Sequence, residues 1–263
     1  MTEAPAPKKS LGQHWLADAA SLTAICDAAA VHAGDTVLEI GPGLGTLTTL
    51  LVERAKEVTA VEFDPLLAQS LPQRVPAPNL QVAQADILRF DLTQLPRGYK
   101  VVANIPYYLT SNLIRVLSES TNPPQLAVLL VQQEVAQRVA ALPGGMSVLS
   151  VTAQFYWDVS LGRKVPAGLF TPPPKVDSQI LILKRRIQPL FPDVDLTVFF
   201  RVVKAGFSQR RKTLLNSLSA GLHLSREETG QILAAAAISP SKRAQALSLE
   251  EWQRLMTVVT QSV

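Results

Sequence analysis

The chain has 263 residues, 47% hydrophobic and 17% charged, with a formal net charge of +4 and one cysteine. That length supports one large domain and a smaller second one, with a core that needs no covalent staples. A single cysteine excludes an internal disulfide framework and fits a reducing compartment, and the modest basic excess favours an anionic partner.

Residues 1–7 read as a loose tail without a secretion signal. No apolar run reaches the roughly 18–20 residues of a membrane span, so a cytoplasmic protein is expected. Lys8 to Leu16 gathers basic, glycine and aromatic residues; a solvated basic tail is the alternative reading. Ala19 to Val31 is an Ala-rich helix, with Cys26 as a small buried residue. Thr36–Ile40 is a strand, Gly41–Gly45 a tight turn, and Thr46 to Ala55 a helix capped at its start by the threonine. Strands follow at Val58–Glu62, Leu80–Ala85, Tyr99–Ala103 and Leu126–Val131, with helices at Pro65–Arg74 and Glu134–Ala141. The 148–155 and 157–165 stretches are ambiguous, and Ser178 to Lys184 is a late strand read as an antiparallel edge. Strands alternating with helices predict an α/β fold, a doubly wound Rossmann-like parallel sheet. After Arg186 the stretch 187–192 reads as a linker. Beyond it lie only helical patterns, at 196–207, 212–220, 225–237 and 249–259, with capping-box spacing at Ser225–Glu228 and Ser248–Glu251. The expected domains are 1–186 and an all-helical 187–263.

Three strand ends carry the chemistry. Gly41-Pro42-Gly43-Leu44-Gly45 lets a ligand approach the main chain, though a plain strand-to-helix turn has the same signature. Glu62 ends the second strand, where a carboxylate accepts ribose hydroxyls. Asp86 ends the third, where it accepts from an adenine amine; each acid is alternatively a helix cap. Together they describe an adenosine pocket. The third small residue of a nicotinamide G-x-G-x-x-G is missing, since Thr46 stands there. Glu39 fits an S-adenosylmethionine site, orienting the loop or approaching the cofactor's amino group. Asn104-Ile105-Pro106-Tyr107 ends the fourth strand, because Pro106 cannot continue a ladder. Asn104 Oδ1, the Ile105 carbonyl and the Tyr107 ring offer two acceptors and a stacking face to the amine of a flat base. Phe170, in a Pro-stiffened loop, is the candidate for the other face, or else a core anchor. Arg210, Arg211 and Lys212, with Arg201, Lys204 and Gln209, form a basic cluster suited to phosphates or to a solvated helix face. His32 and His223 stand alone, with no metal-ligand company.

These motifs resemble the ribosomal small-subunit RNA adenine dimethyltransferase family over nearly the whole chain. The resemblance is carried by Lys8–Leu16, Glu39–Gly43, Val61–Asp64, Ala85–Leu88, Asn104–Tyr107, Phe170–Ser178 and Phe207–Leu214. It implies S-adenosylmethionine across Gly41, Gly43, Glu62, Asp86 and Asn104, with Leu16 and His14 closing over it. It implies N6-dimethylation of two adjacent adenosines near the 3′ end of small-subunit rRNA, in a 30S precursor. Nothing in the sequence suggests more than a monomer, and no metal is expected. The family's Gln-Asn-Phe-Leu motif reads Gln13-His14-Trp15-Leu16 here, which replaces a cofactor-contacting asparagine by histidine. The alternatives are a large-subunit adenine methyltransferase of the macrolide-resistance type and a non-catalytic RNA-binding assembly or transcription factor on the same fold.

Overall fold

The computed structural model describes residues 7–8, 11–191 and 194–262. The expectations for tail residues 1–6, for Lys9 and Ser10, and for Pro192 in the linker lie outside the described residues. The chain forms two compact units. The first runs up to Ala136 and includes Asp158–Arg185; the second comprises Gln137–Trp157 and the chain from Arg186 onward. Where one boundary after residue 186 is expected from sequence, the chain here passes between units after residues 136, 157 and 185.

In the first unit, β2 (Thr36–Ile40), β3 (Glu57–Glu62), β4 (Leu80–Gln84), β5 (Lys100–Asn104), β6 (Leu126–Gln132), β7 (Trp157–Val165) and β9 (Ser178–Arg185) build one sheet. Its order is β4-β3-β2-β5-β6-β9-β7. The four pairings from β4 to β6 are parallel. Parallel partners need crossovers, which α2 (Thr46–Arg54), α3 (Pro65–Arg74) and α4 (Thr110–Glu119) supply. The chain leaves β2 first toward β3 and β4, then returns to β5 on β2's other side, so β2 and β5 flank a topological switch point. The short strand β1 (Trp15–Leu16) pairs antiparallel with β8 (Phe170–Thr171), with Trp15 opposite Thr171 and Leu16 opposite Phe170. The core under the sheet collects Leu16, Ile25, Cys26, Val37, Leu51, Val102, Val128 and Phe170, all buried.

Two expectations are corrected, and one helix is added. β9 pairs with β6 along Leu126–Gln132, but it is interior, because β7 takes the edge. Thr46 does not cap α2: Gly45 is the N-cap, at φ 86°, and the Thr46 hydroxyl donates to the Leu16 carbonyl at 2.9 Å. Gly45 is required there twice over, since a Cβ would come 2.8 Å from both Leu71 Cδ1 and Val75 Cγ2. The reading from sequence also left out α4, whose buried Leu113, Ile114 and Leu117 form its inner stripe.

The second unit is helical: α6 (Val148–Tyr156), α7 (Leu196–Phe207), α8 (Leu214–Leu222), α9 (Arg226–Ala235) and α10 (Leu249–Ser262). Phe155 explains why α6 belongs here, for its ring meets those of Phe191, Phe199 and Phe200 at 5.0–6.0 Å. Both expected capping boxes form, Ser225 with Glu228 and Ser248 with Glu251.

Candidate active site

A cleft of about 290 Å³ opens at the carboxyl ends of β2, β3, β4 and β5. Its walls contain His14, Leu16, Gly41, Gly43, Glu62, Asp86, Asn104, Ile105 and Tyr107, so the structure brings together all but one of the residues expected near cofactor and base. The exception is Phe170. It is 3% exposed, pairs with Leu16 across β1 and β8, packs in the core cluster and is not part of the cleft wall. Of its two readings the structure favours the core anchor: strand pairing turns the ring into the apolar layer.

The glycine turn is held from β3. Glu62 accepts from the Gly43 amide through Oε2 at 3.1 Å and from the Asp64 amide through Oε1 at 2.9 Å. Burial pushes its carboxyl above the ordinary range, with those amides opposing the shift. Each carboxylate oxygen has a second lone pair, so Glu62 fixes the turn and still offers acceptors to the cleft. Asp86 accepts from the Leu88 amide at 3.0 Å, which makes it a cap for its own turn while it also borders the cleft. Glu39 lies deeper, at 1% exposure; desolvation pushes its carboxyl up to about 8, and Oε2 has no hydrogen-bond partner among the described residues.

At the end of β5 the Asn104 amide nitrogen donates to the His14 carbonyl at 3.4 Å. A carbonyl can only accept, so this contact fixes which end of the amide faces it and frees Oδ1 as an acceptor. His14 is fixed in turn: Nδ1 lies 2.7 Å from the Pro172 carbonyl and must carry a proton there. The His14 ring stacks on Tyr107 with centroids 5.9 Å apart at 20°. The Tyr107 hydroxyl meets Ser178 Oγ at 2.8 Å, and burial raises its pKa. Trp15 lies over the glycine turn, its indole 3.5 Å from where a Gly43 Cβ would sit. Lys8 Nζ, which the sequence placed only in a basic segment, reaches Asp64 Oδ2 at 2.6 Å and ties this N-terminal arm to the end of β3.

The donor set suits an adenosine-bearing cofactor. Gly41 and Gly43 leave room along the main chain, Glu62 and Asp86 present carboxylates at neighbouring strand ends, and Leu16, Ile40 and Ile87 add apolar walls. In the second unit, Arg201, Lys204, Gln209, Arg210, Arg211 and Lys212 are all exposed, and the last four lie in the turn between α7 and α8. Among the described residues, Arg210, Arg211 and Lys212 have no ion-pair partner.

Residues 6–261 match the family model for ribosomal RNA adenine dimethylase. The chain belongs to the ribosomal RNA adenine dimethylase family. A ribosomal RNA small subunit methyltransferase A from Dehalococcoides mccartyi is 41% identical over 97% of this chain and 89% of its own length. The protein of the same name from Streptococcus equi subsp. zooepidemicus is 42% identical over 97% and 92%. Among solved structures, a dimethyladenosine transferase from Plasmodium falciparum superposes with a TM-score of 0.80 at 26% identity, covering 94% of this chain and 98% of that one. The 23S rRNA methyltransferase ErmE superposes at 0.73 with 30% identity, over 94% and 100%. Like these relatives of its family, the chain is an α/β protein with a Rossmann-like sheet and a helical C-terminal part. Among the described residues, no helix is long and apolar enough to cross a membrane.

Proposed function

We propose that this dimethylase acts as a monomer on the small ribosomal subunit or its precursor, methylating N6 of two adjacent adenosines near the 3′ end of its rRNA, twice each. S-adenosylmethionine, when bound, supplies an electrophilic methyl group on a sulfonium. Glu62 accepts from its ribose hydroxyls, Asp86 from its adenine amine, and Leu16 and His14 close over it beside Gly41, Gly43 and Asn104. The reading rests above all on the Asn104 amide, whose nitrogen is occupied by the His14 carbonyl and whose oxygen is therefore free beside Ile105 and Tyr107.

The two acceptors take the two amino protons of the target base. That draws electron density back to N6, whose lone pair is otherwise delocalised into the ring. Both acceptors are amide oxygens, too weak to remove a proton, so they aim the amine and leave the rate to positioning and electrostatics; the leaving group would be a neutral thioether, and the methylated, cationic N6 would shed its proton to water. Tyr107 stacks on the flipped base. After the first methylation only one N–H remains, and the pocket gives up one acceptor contact for the second. Arg210, Arg211 and Lys212 grip phosphate. The 41–42% identity over 97% of this chain to proteins named small subunit methyltransferase A supports the small-subunit target.

The test is Asn104→Ala assayed on undermethylated small subunits with labelled cofactor. The expected loss in kcat is at least ~10²-fold, the scale of removing one preorganised transition-state contact. S-adenosylhomocysteine affinity should fall by less than about tenfold, the scale of one neutral hydrogen bond. Methylation by the variant at a near-normal rate would remove the acceptor role. When the unaltered protein is offered both subunits, label appearing only in large-subunit rRNA would move the target.

A further inference from the structure

We propose that Tyr108 is the stacking platform for the nucleotide next to the flipped adenosine, an RNA-positioning residue at the mouth of the cleft. The inference rests on the rRNA-adenine reading above and deepens it.

Tyr107 and Tyr108 open the same 3-10 turn, Tyr107–Leu109. Three residues per turn send consecutive side chains about 120° apart. Tyr107 accordingly points inward, against His14 and Ser178. Tyr108 points outward, borders the same cleft and is 61% exposed. Its ring rests on the N-terminal arm: Cδ1 and Cε1 both lie 3.5 Å from where a Gly12 Cβ would sit, and Pro106 Cβ lies 3.7 Å from that point. No aromatic ring of the described residues packs on it. A lone exposed tyrosine is ordinary. This one is supported from beneath, open above, and one residue from the ring that receives the target base.

The substrate needs such a surface. Flipping one base out of a strand strips its neighbour of a stacking face, and that loss opposes entry of the target. A flat ring beside the entrance restores it, and base–aromatic stacking tolerates any base because every base has a π-face. Where two adjacent adenosines react in turn, the neighbour offered to Tyr108 during one of the two events is the other adenosine. The Tyr108 hydroxyl plays no part in this, only the ring.

The experiment compares Tyr108→Ala and Tyr108→Phe with the unaltered protein on undermethylated small subunits, with S-adenosylhomocysteine titrated by calorimetry and both modified positions mapped. Tyr108→Ala should lower kcat/KM for the subunit by about 5- to 150-fold, the span that one base–aromatic stack implies, mainly through KM. Tyr108→Phe should stay within about twofold, and S-adenosylhomocysteine affinity should be unchanged in both. On subunits reconstituted with an abasic flanking nucleotide, the unaltered protein should fall to the Ala variant's level, and the Ala variant should lose nothing more. Full activity in Tyr108→Ala overturns the proposal, as does a Phe variant as poor as Ala or a parallel loss of S-adenosylhomocysteine affinity. If the unaltered protein itself leaves the subunits unmethylated, the failure belongs to the small-subunit reading instead.

Discussion

Glu39 is the charge the fold accommodates least, and it gives the sharpest test of the site's electrostatics. Its side chain is 1% exposed beneath the glycine turn. Desolvation pushes the carboxyl up to about 8; the nearby Glu62 carboxylate adds to the shift, while the Thr48 hydroxyl, close by but outside hydrogen-bond geometry, opposes it. In the unfolded chain the group titrates at its ordinary value of about 4.3. Between those two values the folded state holds one proton more than the unfolded state. Stability therefore falls as pH rises through that window, by ~1.4 kcal/mol per pH unit. The full window amounts to roughly 5 kcal/mol as an upper limit. Glu39→Gln keeps the shape and removes the titration. Urea denaturation of both proteins without ligand, from about pH 5 to 9, measures the difference. The variant's advantage should grow by ~1.4 kcal/mol per pH unit and level off where Glu39 ionises in the folded protein, at about pH 8. The raised Glu62 is present in both proteins and cancels in the difference. A gap that stays flat from pH 5 to 8 would refute the buried-acid account, because Glu39 would then be ionised throughout.

Charge reversal at Arg210 and Arg211 should weaken small-subunit binding and lower the slope of log affinity against log salt by ~0.7–0.9 per lost phosphate contact, with S-adenosylhomocysteine affinity unchanged. Equal binding across the titration would place these residues off the RNA. Gly45→Ala should cost ~2–4 kcal/mol in urea melts, since it adds left-handed strain at φ 86° to a Cβ placed 2.8 Å from Leu71 and Val75. A loss under ~0.5 kcal/mol would mean that α2 and α3 yield at little cost.

Local pattern made the sheet legible. Thr36–Ile40 runs apolar into a glycine turn and is β2 to the residue, and Pro65 fixes the start of α3 behind the Asp64 cap. Glu62 and Asn104, which end β3 and β5, and Asp86, two residues past the end of β4, are readable for the same reason, since the end of a parallel strand delivers its residues to the sheet edge whatever lies around it. What escaped was non-local. The Asn104 lock comes from a carbonyl 90 residues away in sequence, and the His14 tautomer from one 158 residues away. Phe170 belongs to the core because of its register with Leu16, which no periodicity in a two-residue strand reveals. Tyr108 carries no motif of its own; its exposure and its seat on Gly12 exist only after the arm has folded back.

That arm unifies the site. Trp15 and Leu16 are stitched to Phe170 and Thr171, and the Leu16 carbonyl takes the Thr46 hydroxyl at the start of α2. Two residues earlier, His14 binds Pro172 through its ring and Asn104 through its carbonyl. Lys8 reaches Asp64, whose amide binds Glu62, and Glu62 holds Gly43. One short segment therefore lines the cleft, reaches through Asp64 to the carboxylate proposed for the cofactor's ribose, and holds the amide proposed for the target base. Asn104 can aim its oxygen at an amine only while the His14 carbonyl holds the other end of the amide. The arm proposed to close over the cofactor is thus the same arm that orients the acceptor, and because the contact runs through the His14 backbone it does not depend on which side chain stands at position 14.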